Sequence, residues 1–131
     1  MRKGETMEQT RPAFYKIFVA DLDRAAAFYA QCLGFSEQRR VDAGPFEEVI
    51  LTPAQTGAAL VLCRWSDGRA LENGNAHGPV GFYVGQLDST MEQMKGAGAT
   101  VTFGPVDFSG ARMAILTDPD GHQLELIEKG D

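Results

Sequence analysis

Between Phe14 and Val19 the side chains alternate, with Tyr15, Ile17 and Val19 on one face and Phe14, Lys16 and Phe18 on the other. That period predicts a β-strand covered on both sides. The period then changes. Leu22, Ala25, Ala26, Tyr29, Cys32 and Leu33 recur at helical spacing as one apolar stripe, so a helix lying on a sheet is expected, capped by Asp21 and ended by Gly34. Three strands are expected next, at 36–42, 46–52 and 57–65, punctuated by Gly44-Pro45 and by the segment from Pro53 to Gly57. After a polar stretch from Ser66 to Gly78 the order begins again. It predicts a strand near 79–85, a helix with the stripe Leu87, Met91 and Met94 stopped by Gly96 and Gly98, and strands near 100–106, 110–117 and 122–128. Asp118-Pro119-Asp120-Gly121 carries the residues of a type I turn between the last two.

The second half repeats the first. At a constant offset of 65 residues, identical residues recur at Val19/Val84, Leu22/Leu87, Asp23/Asp88, Val41/Val106, Asp42/Asp107, Ile50/Ile115, Leu51/Leu116 and Thr52/Thr117. So many coincidences at one offset indicate two supersecondary units of order βαβββ rather than a solenoid. The expected organisation is a disordered leader over residues 1–11 and one domain over 12–131. Within it, module one takes about 12–65, a linker about 66–78 and module two about 79–129.

Composition narrows the partners. A chain of 131 residues can bury a sizeable core without a disulfide or metal to staple it. A net charge of −6 and a pI near 4.8 argue against nucleic acid, which is bound through clustered Lys and Arg. No apolar run approaches the ~20 residues of a membrane span, so no membrane partner is expected. Cys32 and Cys63 stand apart in apolar segments, which suits two buried thiols in a reducing cytoplasm.

The segment Val19-Ala20-Asp21-Leu22 with Phe28-Tyr29 and Leu33-Gly34-Phe35 is similar to the opening of vicinal oxygen chelate modules. Asp118-Pro119-Asp120-Gly121 followed by Glu125-Leu126 looks like their closing motif. The resemblance, to the superfamily of glyoxalase I, bleomycin resistance proteins and extradiol dioxygenases, covers nearly everything from Phe14 to Glu128. It implies an α+β fold of two tandem βαβββ modules whose mixed sheets curl around a shared cavity. Many members hold there a divalent metal that chelates neighbouring substrate oxygens. Fold alone does not fix the reaction.

The resemblance also implies where metal ligands would stand, on the first and last strand of each module. Those positions are Phe14, its repeat partner Pro79, Glu125, and the partner of Glu125 at the same offset, Leu60. Only Glu125 keeps a donor atom, and a divalent ion needs three or four. No cofactor is therefore expected, and a divalent metal is possible only at a rearranged site using His77 and Glu125. His122, beside the turn, is expected at the surface. Other signatures are missing: there is no G-x-S-x-G, no P-loop and no G-x-G-x-x-G, and Asp118-Pro119-Asp120-Gly121 lacks the ligands of a calcium loop.

Alternation places Phe14, Lys16 and Phe18 on the cavity face, with Leu60, Leu62 and Arg64 from the fourth strand and Gly81, Tyr83 and Glu125 from module two. This is a mainly apolar wall with a few polar groups, the makeup of a small-molecule pocket. Lys16 needs a counter-charge there, from Glu125, Glu48 or an anionic ligand, or must reach the strand end. Trp65 and Arg69 flank the linker and are candidates to roof the pocket or support an interface, with a plain surface or packing role as the alternative. Three readings follow, in order of fit. The first is a binding or sequestering protein for an apolar or aromatic small molecule. The second is a glyoxalase I-like metal-dependent lyase or isomerase using His77 and Glu125, with Glu48. The third is a metal-free enzyme with Glu125 as base and Lys16 as electrostatic stabiliser. Open sheet edges point to a homodimer, with the modules pairing within one chain or exchanged between two.

Overall fold

The computed structural model describes residues 9–130. The expected leader lies outside the described residues as far as residue 8, and residues 9–11 are exposed, without helix or strand. Two copies of one module follow in order. Module one runs β1 (Phe14–Phe18), α1 (Leu22–Leu33), β2 (Ser36–Asp42), β3 (Phe46–Thr52) and β4 (Ala59–Trp65). Module two runs β5 (Val80–Tyr83), α2 (Leu87–Gly96), β6 (Thr100–Phe108), β7 (Ala111–Thr117) and β8 (Gln123–Lys129). The strands form two mixed four-stranded sheets, β1-β4-β3-β2 and β5-β8-β7-β6, each with its first strand parallel to its last and the other pairs antiparallel. The sheets stay separate and are not closed into one barrel.

Helix α1 begins and ends where its residues require. Asp21 Oδ1 accepts from the Arg24 backbone N–H at 3.0 Å, and Gly34 takes a left-handed φ of 74° that returns N–H groups to the last turn. Helix α2 has no such cap of its own. Gln86 makes no side-chain capping bond, and Glu128 from β8 supplies the acceptor instead, its Oε1 lying 2.7 Å from Leu87 N.

One buried cluster serves both modules. Leu22, Tyr29, Phe35, Leu51, Leu60 and Leu62 pack with Leu87, Met94, Leu116, Leu124 and Leu126, and the two helices touch. Phe35 meets Phe82 edge-on at 6.0 Å, and Gln93 Nε2 donates to the Gln31 carbonyl at 2.7 Å. Each sheet thus turns one face to its helix and leaves the other open. Coverage of β1 is confined to its last residues, because Phe14 and Tyr15 remain 52% and 51% exposed on opposite faces.

The repeat slips once. β3 and β7 keep the offset of 65 (Phe46 to Ala111), whereas β4 and β8 stand 64 apart (Ala59 to Gln123), because the β3–β4 connection is one residue longer than the β7–β8 connection. In a strand a one-residue slip exchanges faces. Leu60 and Leu62 therefore point to α1 and are buried in the core, and Val61 and Cys63 occupy the open face expected for them.

Candidate functional site

Edge strands β1 and β5 border a cleft of about 1180 Å³ that the linker crosses, lined among others by Lys16, Phe18, Trp65, Arg69, His77 and His122. Its wall on the module-one side is aromatic. Register places Phe46 opposite Trp65 and Phe18 opposite Cys63, so the three rings share the open face of one sheet. Phe18 stacks on Trp65 with centroids 4.2 Å apart and planes 13° from parallel. Phe46 meets both edge-on, at 5.8 Å and 6.0 Å. The Arg69 guanidinium lies 4.0 Å from the Trp65 centroid, necessarily over the face that Phe18 leaves free.

Each cation at this wall has a carboxylate. Lys16 Nζ is 2.7 Å from Glu48 Oε1 and stands 5.2 Å and 5.6 Å from the Phe46 and Phe14 centroids. The Glu48 hydrogen bond holds the Lys16 pKa above its ordinary value. Cys63 Sγ approaches the same oxygen at 3.9 Å, and burial, reinforced by the Glu48 charge, pushes its thiol up to about 11, which makes it a poor nucleophile. Arg69 pairs with Asp67, Nη2 to Oδ2 at 2.7 Å, and its hydrogen bonds hold that carboxyl down at about 2.

The turn before β8 closes one end of the cleft. Asp118 is buried; its Oδ1 accepts from the backbone N–H groups of Asp120 and His122 at 2.9 Å each, and its Oδ2 accepts from the Tyr29 hydroxyl at 2.6 Å. Asp120 Oδ1 accepts from Ala20 N and Arg24 Nη2, both at 3.1 Å, while Asn73 of the linker donates to the Asp120 carbonyl at 3.0 Å. His122 is half-buried rather than a surface residue. Its Nε2 lies 2.6 Å from the Phe18 carbonyl, an acceptor, so that nitrogen carries the proton. The turn joins both modules and the linker.

Residues 11–126 match the sequence profile of the Glyoxalase/Bleomycin resistance protein/Dioxygenase superfamily. The chain belongs to this superfamily. It is 31% identical over 116 residues to a probable lactoylglutathione lyase of Vibrio cholerae, covering 84% of each chain. Among solved structures it resembles the trypanothione-dependent glyoxalase I of Leishmania major at a TM-score of 0.79 and 26% identity, covering 92% of this chain and 88% of that one. It also shares its fold with TnmS3, an antibiotic binding protein from Streptomyces sp. CB03234, at a TM-score of 0.72 and 21% identity, covering 92% and 97%.

As a superfamily member the chain carries a poor donor set. The slip replaces Leu60 by Val61 as the counterpart of Glu125, since Lys16 pairs with Val61 as Gly81 pairs with Glu125. The four positions are then Phe14, Val61, Pro79 and Glu125, and among the described residues no three His, Cys, Asp or Glu side chains are grouped to hold a metal. The residues present do not fit the superfamily's metal.

Several expected wall residues lie elsewhere. Leu60 and Leu62 are core residues, for the reason of register given above. Arg64, on the same wrong face, joins a separate charged depression with Arg40 and Glu47 beside the start of α1. Glu125 is on the open face of the second sheet, half-buried, and Lys16 is bound by Glu48 rather than by it. Tyr83 is 70% exposed, with Lys129 Nζ 4.1 Å from its ring centroid. Phe14 flanks Lys16 at the exposed start of β1. Phe46 had not been expected at the site, although it lies two residues before Glu48 and alternation puts both on one face.

Proposed function

We propose that this chain is a binding protein, which holds a small, flat, partly apolar or aromatic molecule in the cleft between its modules without the superfamily's usual metal. One observation carries the reading: the Phe18–Trp65 stack, edged by Phe46, forms an aromatic wall whose outer face carries the exposed side chain of Arg69. Such a face binds planar groups by stacking and burial and needs no metal. The antibiotic binding protein TnmS3 offers a precedent for the fold only.

The sequence relative named a probable lactoylglutathione lyase favours a second reading, a glyoxalase-like lyase. It is weaker because three of the four ligand positions lack a donor, and Glu48, which would have to help His77 and Glu125, is engaged by Lys16. The same pairing weakens a metal-free mechanism using Lys16 with Glu125.

Trp65 is the only tryptophan in the chain, so its emission reports on this wall alone. Chelator-treated protein is expected to show saturable quenching by 4-nitrobenzyl alcohol, unchanged by added Zn²⁺ or Ni²⁺, and no lactoylglutathione lyase activity with either ion. Turnover abolished by Glu125→Gln, or quenching that never saturates, would overturn the reading.

A further inference from the structure

The two cations at the aromatic wall differ in how open their ion pairs are to solvent. Glu48, the partner of Lys16, is a half-buried side chain 15% exposed, and the ammonium is also wedged between Phe14 and Phe46. Arg69 and Asp67 are neighbours in the linker joined by a two-pronged fork, Nε to Oδ1 at 3.0 Å and Nη2 to Oδ2 at 2.7 Å, but their side chains are 53% and 56% exposed, so salt screens the pair and a competing anion in solution can reach it. Arg69 is thus the cation free to exchange its partner. It also occupies the position any ring stacking on Trp65 must take, because Phe18 blocks the other face.

Resting on the binding reading, we propose that the cleft selects planar aromatic anions, such as aromatic carboxylates or sulfonates, and that Arg69 is the residue that recognises the charge. The ring displaces the guanidinium from the Trp65 face, and the guanidinium leaves Asp67 to pair with the anionic group at the ring's edge. A planar fork suits a carboxylate or sulfonate because it can donate two parallel hydrogen bonds. Glu48 and Asp67 at the wall are each engaged by a cation, while Glu72, which also lines the cleft, is the carboxylate there that would favour a cationic ring, and a cationic probe tests for it. Asp67 acts as a placeholder that keeps Arg69 over the indole until an anion arrives.

Three isosteres that quench indole emission test this: 4-nitrobenzoate, 4-nitrobenzyl alcohol and 4-nitrobenzylammonium, titrated against full-length protein at low and high salt. The benzoate should bind about tenfold more tightly than the other two, the worth of one charge-assisted pair, and added salt should weaken only the benzoate. Arg69→Gln should erase the preference, bringing the benzoate down to the level of the alcohol. Asp67→Asn should strengthen benzoate binding severalfold, which a merely structural Arg69 would not produce. Both substitutions are at exposed linker positions, and circular dichroism checks the fold. Equal binding of the three probes overturns the anion selectivity but leaves the binding reading standing. Loss of the preference in Lys16→Met but not in Arg69→Gln overturns the assignment to Arg69. No saturable quenching by any probe removes the binding reading itself.

Discussion

Replacing Tyr29 by Phe should show how far one buried hydrogen bond holds the two modules together. Tyr29 is 1% exposed on α1 and Asp118 4% exposed in the β7–β8 turn. Asp118 Oδ1 has two backbone donors, whereas Oδ2 has the phenol alone among the described residues. The substitution removes one oxygen and almost no packing, so its cost is that of a buried carboxylate oxygen losing its donor, ~1.5 to 3 kcal/mol. Against a total stability of ~5 to 15 kcal/mol that is a large share. Urea unfolding should give a lower midpoint at unchanged slope, and thermal unfolding a midpoint lower by ~3 to 5 °C per kcal/mol. The pH dependence has a definite sign. Burial, and then the charge of Asp118, raises the Tyr29 pKa above its ordinary 10.0. The neutral hydroxyl is the donor, so its contribution is complete below pH 10 and is lost as pH rises from there through the raised value. The stability gap between wild type and Tyr29→Phe should therefore be flat from neutral pH to about 9 and narrow above 10. A loss under ~0.5 kcal/mol, within the range of ordinary surface changes, would refute this account of the turn.

Lys16→Met and Glu48→Gln should each destabilise, with a coupling on the order of 1 kcal/mol in a double-mutant cycle, between the values for exposed and fully buried pairs; additivity would show two independent charges. Because Glu48 raises the Lys16 pKa, that coupling should persist up to about pH 10.5 and fade above it, which unfolding at pH 9 and 11.5 would check. Glu128→Ala should cost ~1 kcal/mol by uncapping α2, with faster hydrogen exchange at Leu87 as the specific sign, since no residue of the helix's own start replaces it. Sedimentation should find a homodimer, because Tyr83, Phe103, Val106 and Phe108 lie on the open face of the second sheet, three of them more than half exposed; a monomer at all concentrations would refute it.

The order of elements was legible because it rests on local periodicity and caps: the stripe from Leu22 to Leu33, Asp21 before it and Gly34 after it each act within one turn of chain. The long-range partners were not. His122 sits beside a turn in the sequence, and only the docking of module two on β1 brings its ring to the Phe18 carbonyl. Lys16 was known to need a counter-charge, but the choice between Glu48 and Glu125 depends on whether that charge comes from its own sheet or from the other one. The antiparallel register of β3 with β4 and the parallel register of β1 with β4 bring Glu48 to it, by pairings that single-sequence periodicity does not encode.

The same limit explains the misplaced wall. Eight identities at one offset made the repeat look rigid, yet none of them falls in β4 or β8, the segment where the extra connecting residue enters. Carrying the offset across that connection put Leu60, Leu62 and Arg64 on the open face. Correcting it by one residue substitutes Val61, Cys63 and Trp65. Neither frame supplies a metal donor opposite Glu125, since Leu60 and Val61 are equally inert, so the case against the inherited metal does not depend on the frame. The nature of the wall does depend on it. In the wrong frame Trp65 is a linker neighbour; in the right one it stands on the same face as Phe18 and Phe46, stacked on the first and edge-on to the second, and turns three separated aromatic residues into one surface. Strand alternation is all-or-none, so one inserted residue between β3 and β4 decides whether this cleft is walled by aliphatic side chains or by an indole.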